Sequence, residues 1–201
     1  TSLLKPYNIM FPIIVSWRSY NKGDSEIQHS HLATKLPNLI NSYGYDSVIL
    51  DRDNLILAID QITSCETNLK ICILEKETFS KVSLEERQKI DLSHYPKRSL
   101  YLQFLNKKYH GSDVKFIGTT GNTAREMFTF MKNTNNFYMA GNMGGALSLG
   151  LGASLGKNEV IVCGGDAEFV MHLGGITTAG RYKQEVKFLT YIIFDNESNK
   201  S

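Results

Sequence analysis

The fold is decided by the stretch VIVCGGDA, residues 160–167, together with the stretch YIIFDN, residues 191–196. In each stretch a run of apolar residues predicts a buried strand that leads directly into small or polar residues. The first strand runs into Asp166 and the second runs into Asn196. Because the carboxyl ends of parallel strands meet at one edge of a sheet, we expect these two side chains to lie close together.

Outward from these stretches, apolar runs alternate with helical patterns along almost the whole chain. Such alternation predicts an α/β fold with parallel sheets covered by helices on both faces. A polar segment over residues 80–97 separates two series of this kind. We therefore expect two partial doubly wound domains, residues 1–79 and 98–201, joined by a linker at 80–97.

The individual elements follow from the same patterns. The first series predicts strands at 11–15, 46–50 and 69–74 and helices at 31–42 and 53–63, with Asp53 as the N-cap of the second helix. The second series predicts helices at 99–109, 124–131, 144–155 and 169–180 and strands at 114–117, 159–163 and 187–194. These bounds place Asp166 and Asn196 just beyond the ends of strands.

Composition excludes several classes of protein. The chain has 201 residues, a hydrophobic share of 42% and a net charge of +2. This share is too high for disorder, and the even charge balance gives no support for binding nucleic acid or a membrane surface. The three cysteines, Cys65, Cys72 and Cys163, form no disulfide or zinc pattern. We expect Cys72 and Cys163 to be small buried residues and the protein to be cytoplasmic.

Asp166 and Asn196 suit a bound magnesium ion. Mg²⁺ takes oxygen ligands in near-octahedral geometry, usually one or two from protein side chains with phosphates and water completing the shell. A carboxylate and an amide at neighbouring strand ends, with the small Gly165 and Ala167 beside them, meet that demand for a magnesium diphosphate. The simpler alternative is that Gly165-Asp166 forms only a turn after a strand. The glycines of 150–156 have the wrong spacing for a dinucleotide fingerprint.

Four blocks of sequence carry a resemblance to a known family. They are VSWR at 15–18 with EIQH at 26–29, GTTGNTARE at 118–126, AGNMGGA at 140–146, and the Asp166 and Asn196 segments. In order and spacing they resemble phosphonopyruvate decarboxylase, a branch of the thiamine diphosphate-dependent 2-oxo acid decarboxylases. The resemblance implies part of a pyrimidine-binding domain before the linker and part of a diphosphate-binding domain after it.

The resemblance also implies thiamine diphosphate and Mg²⁺ as cofactors. The Asp166 and Asn196 side chains and the Ser198 carbonyl would hold the metal. Met143 would lie beneath the bend of the cofactor, although core packing is the simpler reading of a methionine there. The full set of cofactor contacts that the resemblance implies is Gly141, Asn142, Met143, Gly165, Asp166, Ala167 and Asn196.

The sequence indicates the acid–base and substrate residues less specifically than the metal and cofactor residues. The histidines at 29, 31 and 172 are acid–base candidates, with His29 first, and a structural role is the alternative for each. The turn Thr119-Thr120-Gly121 precedes a predicted helix that carries Arg125, so its amides and hydroxyls could face an anionic group. Together with the family resemblance, this favours a small 2-oxo acid that bears a second anion, a substituted pyruvate, over pyruvate itself.

Three positions depart from the family pattern. Gly145 stands where the family has a histidine, Asn122 where it has a lysine, and Ala167 where it usually has a glycine. The first two changes remove a possible proton donor and a positive charge, so we expect them to alter substrate handling.

The activity that the resemblance implies is non-oxidative decarboxylation of phosphonopyruvate to phosphonoacetaldehyde and CO2, a step of phosphonate biosynthesis, carried out by a homo-oligomer. One alternative is a sulfopyruvate or other 2-oxo acid decarboxylase, and another is a non-catalytic truncated fragment. Because the chain begins at Thr1 and ends soon after a strand, we expect truncation at both ends. The activating glutamate is then expected upstream of Thr1, and the chain alone is expected to be inactive.

Overall fold

A computed structural model of the protein describes residues 6–9, 11–21, 29–64, 70–83, 91–132, 135–186 and 188–196. The chain divides into two compact units, residues 1–84 and 85–201. Each unit contains one sheet, and all strand pairs in the described part of the chain are parallel. The predicted α/β fold class is confirmed.

The first unit contains a three-stranded sheet. Its elements in chain order are β1 (Ile13–Ser16), α1 (Ser30–Ala33), α2 (Leu36–Ser42), β2 (Asp46–Leu50), α3 (Leu55–Thr63) and β3 (Lys70–Leu74). The strand order is β1-β3-β2, so β3 lies in the centre. Neighbouring residues of β3 face opposite sides of the sheet: Ile73 packs with Ile40 of α2, and Cys72 packs with Ala58 of α3.

The helix predicted over 31–42 is wrong, because two helices occupy that range. Pro37 lies in the first turn of α2, where its missing N–H is tolerated. In one continuous helix Pro37 would leave the carbonyl of Ala33 without its intrahelical donor. The Nε1–H of Trp17 donates to that carbonyl instead, at 2.8 Å. The proline therefore sets the break between the helices, and a tryptophan from the sheet side satisfies the exposed carbonyl.

The predicted cap of α3 is also wrong. The N-cap is Asn54 rather than Asp53, and its side chain makes no capping hydrogen bond. The Oδ1 atom of Asp51 accepts hydrogen bonds from the backbone N–H groups of Asp53, at 2.8 Å, and Asn54, at 2.9 Å. An aspartate turn of this kind, two residues ahead of the expected cap, leads the chain into the helix.

The second unit contains a four-stranded sheet in the order β5-β4-β6-β7. None of the helices in the described part of the chain is long and apolar enough to cross a membrane. The elements in chain order are α4 (Arg98–Lys108), β4 (Lys115–Gly118), α5 (Asn122–Phe130), β5 (Asn136–Tyr138), α6 (Ala146–Leu155), β6 (Val160–Gly165), α7 (Asp166–Met171), α8 (Gly174–Arg181) and β7 (Leu189–Phe194).

Helices cover both faces of this second sheet. Helices α4 and α5 pack on one face, and α6 packs on the other. A strand that is buried on both faces has a continuous apolar run in its sequence, which explains why the sequence predicted β6. One face carries the cluster Leu102, Phe116, Met127, Ile161 and Cys163, and the other carries the cluster Ile117, Ala146, Val160 and Val162.

Two features of the second unit differ from the predictions. Strand β5 was not predicted, because three residues are too few to show a pattern; it exists through its pairing with β4. The helix predicted over 169–180 begins earlier, at Asp166, and is interrupted between α7 and α8. At the break His172 has φ −138° and ψ 53°, and the glycines at 174 and 175 that follow are weak helix formers.

Phe116 offers a test of the core. It is fully buried and packs edge to face against Tyr109, with 5.8 Å between ring centroids. We expect Phe116→Ala to lower the free energy of unfolding by about 3–5 kcal/mol, because the cavity left behind adds to the lost burial. Urea unfolding followed by far-ultraviolet circular dichroism measures the change.

The matched control is Phe104→Ala, since Phe104 lies in α4 with 61% of its surface exposed. Its free energy of unfolding should change by no more than about 0.5 kcal/mol. Similar losses for the two variants would contradict the assigned core.

Candidate functional site at the carboxyl edge of the second sheet

Four loops leave the second sheet at the same edge. Because the strands are parallel, the segments at 119–121, 139–145, 166–167 and 195–196 each follow the carboxyl end of a strand. The backbone fastens two of these segments to neighbouring strands. The N–H of Thr119 donates to the carbonyl of Cys163 at 2.9 Å, and the N–H of Met139 donates to the carbonyl of Gly118 at 3.0 Å.

The two proposed metal ligands follow adjacent strands. Strand β6 pairs with β7, and Gly165 lies opposite Phe194. Asp166 comes directly after Gly165, and Asn196 comes two residues after Phe194. Both side chains are half-buried. The structure therefore brings a carboxylate and an amide to neighbouring strand ends, while Ser198 lies outside the described residues.

The loop after β5 forms a turn with Met143 at its apex. Asn142 has φ 62° and Gly144 has φ 91°, both in the left-handed region that glycine adopts most readily and asparagine more readily than other residues. Between them, Met143 is 46% exposed. It lies in the wall of an open cavity of about 590 Å³, with Met139, Leu149, Met171 and His172 among its neighbours. Core packing therefore does not explain this methionine.

Two glycines leave their backbone open. At Gly141 and Gly165 nothing lies within 4 Å of the position that a Cβ atom would take. A ligand can therefore approach the peptide groups at both positions closely. Gly145 differs, because a Cβ atom there would collide with the side chain of Asn142. The histidine that the family pattern has at this position would require Asn142 to move.

A buried hydroxyl without a partner lies in the loop after β4. Thr119 is 4% exposed, and its Oγ1 atom makes no hydrogen bond. An unpaired buried hydroxyl is unfavourable, so a polar group bound here would be favourable. Gly121 is the N-cap of α5, and Arg125 lies one turn into that helix with its side chain exposed. The Nη1–H of Arg125 donates to Oδ1 of Asn122 at 3.3 Å.

A buried carboxyl group behind this edge was missed in the sequence. Glu168 is 3% exposed. Its Oε2 atom accepts a hydrogen bond from the Tyr191 hydroxyl at 2.6 Å, and its Oε1 atom accepts one from the N–H of Ala146 at 3.4 Å. Burial, together with the hydrogen bond and charge of Glu168, raises the pKa of Tyr191. No sequence pattern separates a buried glutamate in a short helix from an exposed one.

The three candidate histidines lie in different surroundings. His29 is half-buried and precedes α1 in the first unit, and its acid–base role stays a prediction. His31 is exposed, with Nε2 3.2 Å from Nζ of Lys35. His172 ends α7, with Nδ1 2.8 Å from the carbonyl oxygen of Gly144. Because a carbonyl only accepts hydrogen bonds, Nδ1 of His172 carries the hydrogen in this contact.

The two cysteines within the described residues are buried, as expected, and Cys65 lies outside those residues. Burial raises the pKa of the Cys163 thiol to about 12 and also raises the pKa of the Cys72 thiol. Both thiols therefore act as small core side chains and not as nucleophiles.

Residues 117–200 match the protein family described as thiamine pyrophosphate enzyme, C-terminal TPP binding domain. The matched segment begins within β4 and includes the loops after β4, β5, β6 and β7. This part of the chain is therefore similar to the thiamine pyrophosphate-binding domain of that enzyme family. Thiamine pyrophosphate is the same compound as thiamine diphosphate, so the cofactor expected from the sequence agrees with the match.

Curated relatives of the chain are named as decarboxylases. Phosphonopyruvate decarboxylase of Streptomyces viridochromogenes is 35% identical over 85 residues, which cover 42% of this chain and 21% of that protein. Sulfopyruvate decarboxylase subunit beta of Methanocaldococcus jannaschii is 32% identical over 105 residues, which cover 52% of this chain and 54% of that protein. The chain thus spans about a fifth of the first relative and about half of the second. The predicted resemblance to this group of decarboxylases is confirmed.

The raised pKa of Cys163 predicts a pH dependence of stability. The thiol stays protonated in the folded protein up to about pH 12 but ionises in the unfolded chain near its ordinary value of 9.0. The unfolded state therefore loses a proton first, and the free energy of unfolding falls as pH rises through this window, by about 1.4 kcal/mol per pH unit.

Urea unfolding of the wild type and of Cys163→Ala at a series of pH values between about 8 and 10.5 isolates this contribution. The stability difference between the two proteins should shift in favour of the variant as pH rises. A difference that stays constant across the series would show that the Cys163 thiol is accessible to solvent.

Proposed function

We propose that the protein is a thiamine diphosphate- and Mg²⁺-dependent decarboxylase of a 2-oxo acid with a second anionic group, phosphonopyruvate being the first candidate. The observation that carries this proposal is the placement of Asp166 and Asn196 after adjacent parallel strands within a thiamine pyrophosphate-binding domain. The decarboxylase names of the relatives support the reaction type.

The donor set fits a magnesium diphosphate. A carboxylate from Asp166 and an amide oxygen from Asn196 are the hard oxygen ligands that Mg²⁺ prefers, and the ion usually completes its shell with phosphate oxygens and water. The carbonyl of Ser198 is the third protein ligand in this proposal. The open backbone at Gly165 and the small side chain of Ala167 leave room for the diphosphate.

The turn at 141–144 fits the other end of the cofactor. The carbonyl of Gly141, where the position of a Cβ atom is open, would accept a hydrogen bond from the aminopyrimidine ring, and the amide of Met143 would donate one. The half-exposed Met143 side chain offers an apolar, polarizable surface to the cofactor rings. When bound, thiamine diphosphate supplies an acceptor for the electron pair that CO2 leaves behind, while the chain binds and orients the reactants.

The loop after β4 is the proposed substrate side. The unpaired hydroxyl of Thr119, the backbone of Thr120 and Gly121 at the start of α5, and the Arg125 guanidinium together suit a phosphonate or sulfonate group. Sulfopyruvate is the second candidate, because relatives with that name are matched over about half of their length. We further propose a cytoplasmic oligomer, in line with the subunit names of those relatives.

Asp166→Ala tests the metal site. The substitution removes the one charged ligand in the proposed set, so we expect magnesium-dependent binding of thiamine diphosphate to weaken by more than about a hundredfold, since losing even a residue that only supports a metal ligand costs 10–100-fold. Calorimetric titration of thiamine diphosphate, with Mg²⁺ and with a chelator, measures the change.

The matched control is Asp113→Ala, because Asp113 is exposed and precedes β4 at the opposite edge of the same sheet. Its magnesium-dependent affinity should equal that of the wild type. Unchanged affinity in Asp166→Ala would overturn the metal assignment.

Substrate choice tests the anion site. For the full-length enzyme that contains this chain, we expect kcat/KM to be higher for phosphonopyruvate or sulfopyruvate than for pyruvate. Arg125→Ala should lower kcat/KM for the preferred substrate by about tenfold, the usual effect of losing a hydrogen bond between charged groups, and leave pyruvate unaffected.

Lys132→Ala is the control, because Lys132 is an exposed cation just beyond the other end of α5. Aldehyde formation, followed with a coupled dehydrogenase, gives the rates. Equal or better use of pyruvate by the wild-type enzyme would refute the proposal that the substrate bears a second anionic group.

A further inference from the structure

The carboxyl group of Glu168 joins three elements at one point. Glu168 belongs to α7, Tyr191 belongs to β7, and Ala146 is the first residue of α6. Both carboxyl oxygens of Glu168 are used, one by the Tyr191 hydroxyl and one by the Ala146 amide. Because burial of a carboxyl group is costly unless hydrogen bonds compensate, these contacts are what allow Glu168 to lie inside the protein. The Ala146 amide lies at the start of α6, and the start of a helix is electrostatically favourable for an acidic group.

Strand β6 lies beneath this contact and leaves space for it at Gly164. A Cβ atom on Gly164 would lie 2.5 Å from Cε2 of Tyr191 and 2.8 Å from Oε2 of Glu168. Any larger residue at 164 would therefore force the Tyr191 ring or the Glu168 carboxyl group to move. The two glycines at the end of β6 have different purposes: Gly164 makes room for the Glu168–Tyr191 contact, and Gly165 keeps its backbone open.

Helix α7 holds the Met143 turn from a second position. At its other end, Nδ1 of His172 donates to the carbonyl oxygen of Gly144 at 2.8 Å. The contact is close, since a Cβ atom on Gly144 would lie 2.8 Å from Cβ of His172. The segment that directly follows Met143 is thus fastened to α7 at two points, the Gly144 carbonyl and the Ala146 amide. Asp166 is the first residue of the same helix.

We propose that Glu168, supported by Tyr191, is a positioning residue that fixes the Met143 turn relative to Asp166. This inference rests on the proposed function, in which Asp166 serves the metal end of the cofactor and Met143 serves its ring end. In this proposal the buried Glu168 does not itself hold the metal or the cofactor. It acts by holding the two contact regions at a set spacing before the cofactor binds, so that less ordering is needed on binding.

Amide hydrogen exchange of the chain without cofactor tests the contact directly. Glu168→Ala should speed exchange in residues 143–147 by about tenfold or more, because the Ala146 amide loses its acceptor. Glu168→Gln keeps an oxygen for the Ala146 amide and a donor for the Tyr191 oxygen, so it should restore most of the protection.

The matched control lies at the other end of α6, where Nδ2 of Asn158 donates to the carbonyl of Ala153 at 2.9 Å. Asn158→Ala removes this hydrogen bond and should speed exchange only near residues 153–158.

Affinity for thiamine diphosphate in the presence of Mg²⁺ provides the second measurement. We expect about tenfold weaker binding by Glu168→Ala, and binding by Glu168→Gln and Asn158→Ala within about twofold of the wild type. Equal losses for Glu168→Ala and Asn158→Ala would show a purely structural role and overturn the proposal, as would no rescue by glutamine.

Two further outcomes are separable. If the wild type does not bind thiamine diphosphate, the proposed function is wrong, and the positioning role is wrong with it. The hydrogen-exchange data still test whether Glu168 protects the Ala146 amide. If Glu168→Ala does not fold, Tyr191→Phe takes its place, since it removes only the hydroxyl. A change of about threefold in the same direction supports the proposal, and unchanged exchange and affinity overturn it.

Discussion

The parallel pairing of β6 with β4 on one side and β7 on the other is the constraint on which the second unit depends. Its register places Gly118 opposite Cys163 and Gly165 opposite Phe194. Because the strands are parallel, every loop that carries a candidate ligand leaves at the same edge. A slip of one residue would exchange the side chains of β6 that face the two helical layers, so packing of the core also fixes the spacing of the candidate site.

Helix α7 connects the end of β6 to two sets of residues, one at the edge of the sheet and one buried behind it. It begins directly at the end of β6, so its first residue, Asp166, stays at the edge of the sheet. Two residues later Glu168 is buried, and at the end of the helix His172 reaches Gly144. One short helix thus presents a proposed metal ligand to the edge and fastens the neighbouring turn from behind.

The similarity to a cofactor-binding domain is clearer than any indication of the substrate, and the reason is physical. Cofactor binding depends on backbone geometry and on strand ends across the whole sheet, so it constrains the residue types at many positions of the sequence. A phosphonate and a sulfonate differ only in charge and in a few hydrogen bonds, so a small number of side chains suffices to separate them. In the proposed function, the exposed Arg125 and its partner Asn122 are such side chains.

The sequence by itself determined the α/β class, the central strands and the strand-end positions of Asp166 and Asn196, because burial on both faces leaves a continuous apolar run and parallel strands share one edge. Only the tertiary structure decided β5, which is a strand because β4 pairs with it. The same holds for Glu168, whose burial depends on a hydroxyl 23 residues away in the chain. Contacts between distant residues leave no local pattern, so no reading of neighbouring residues could have shown them.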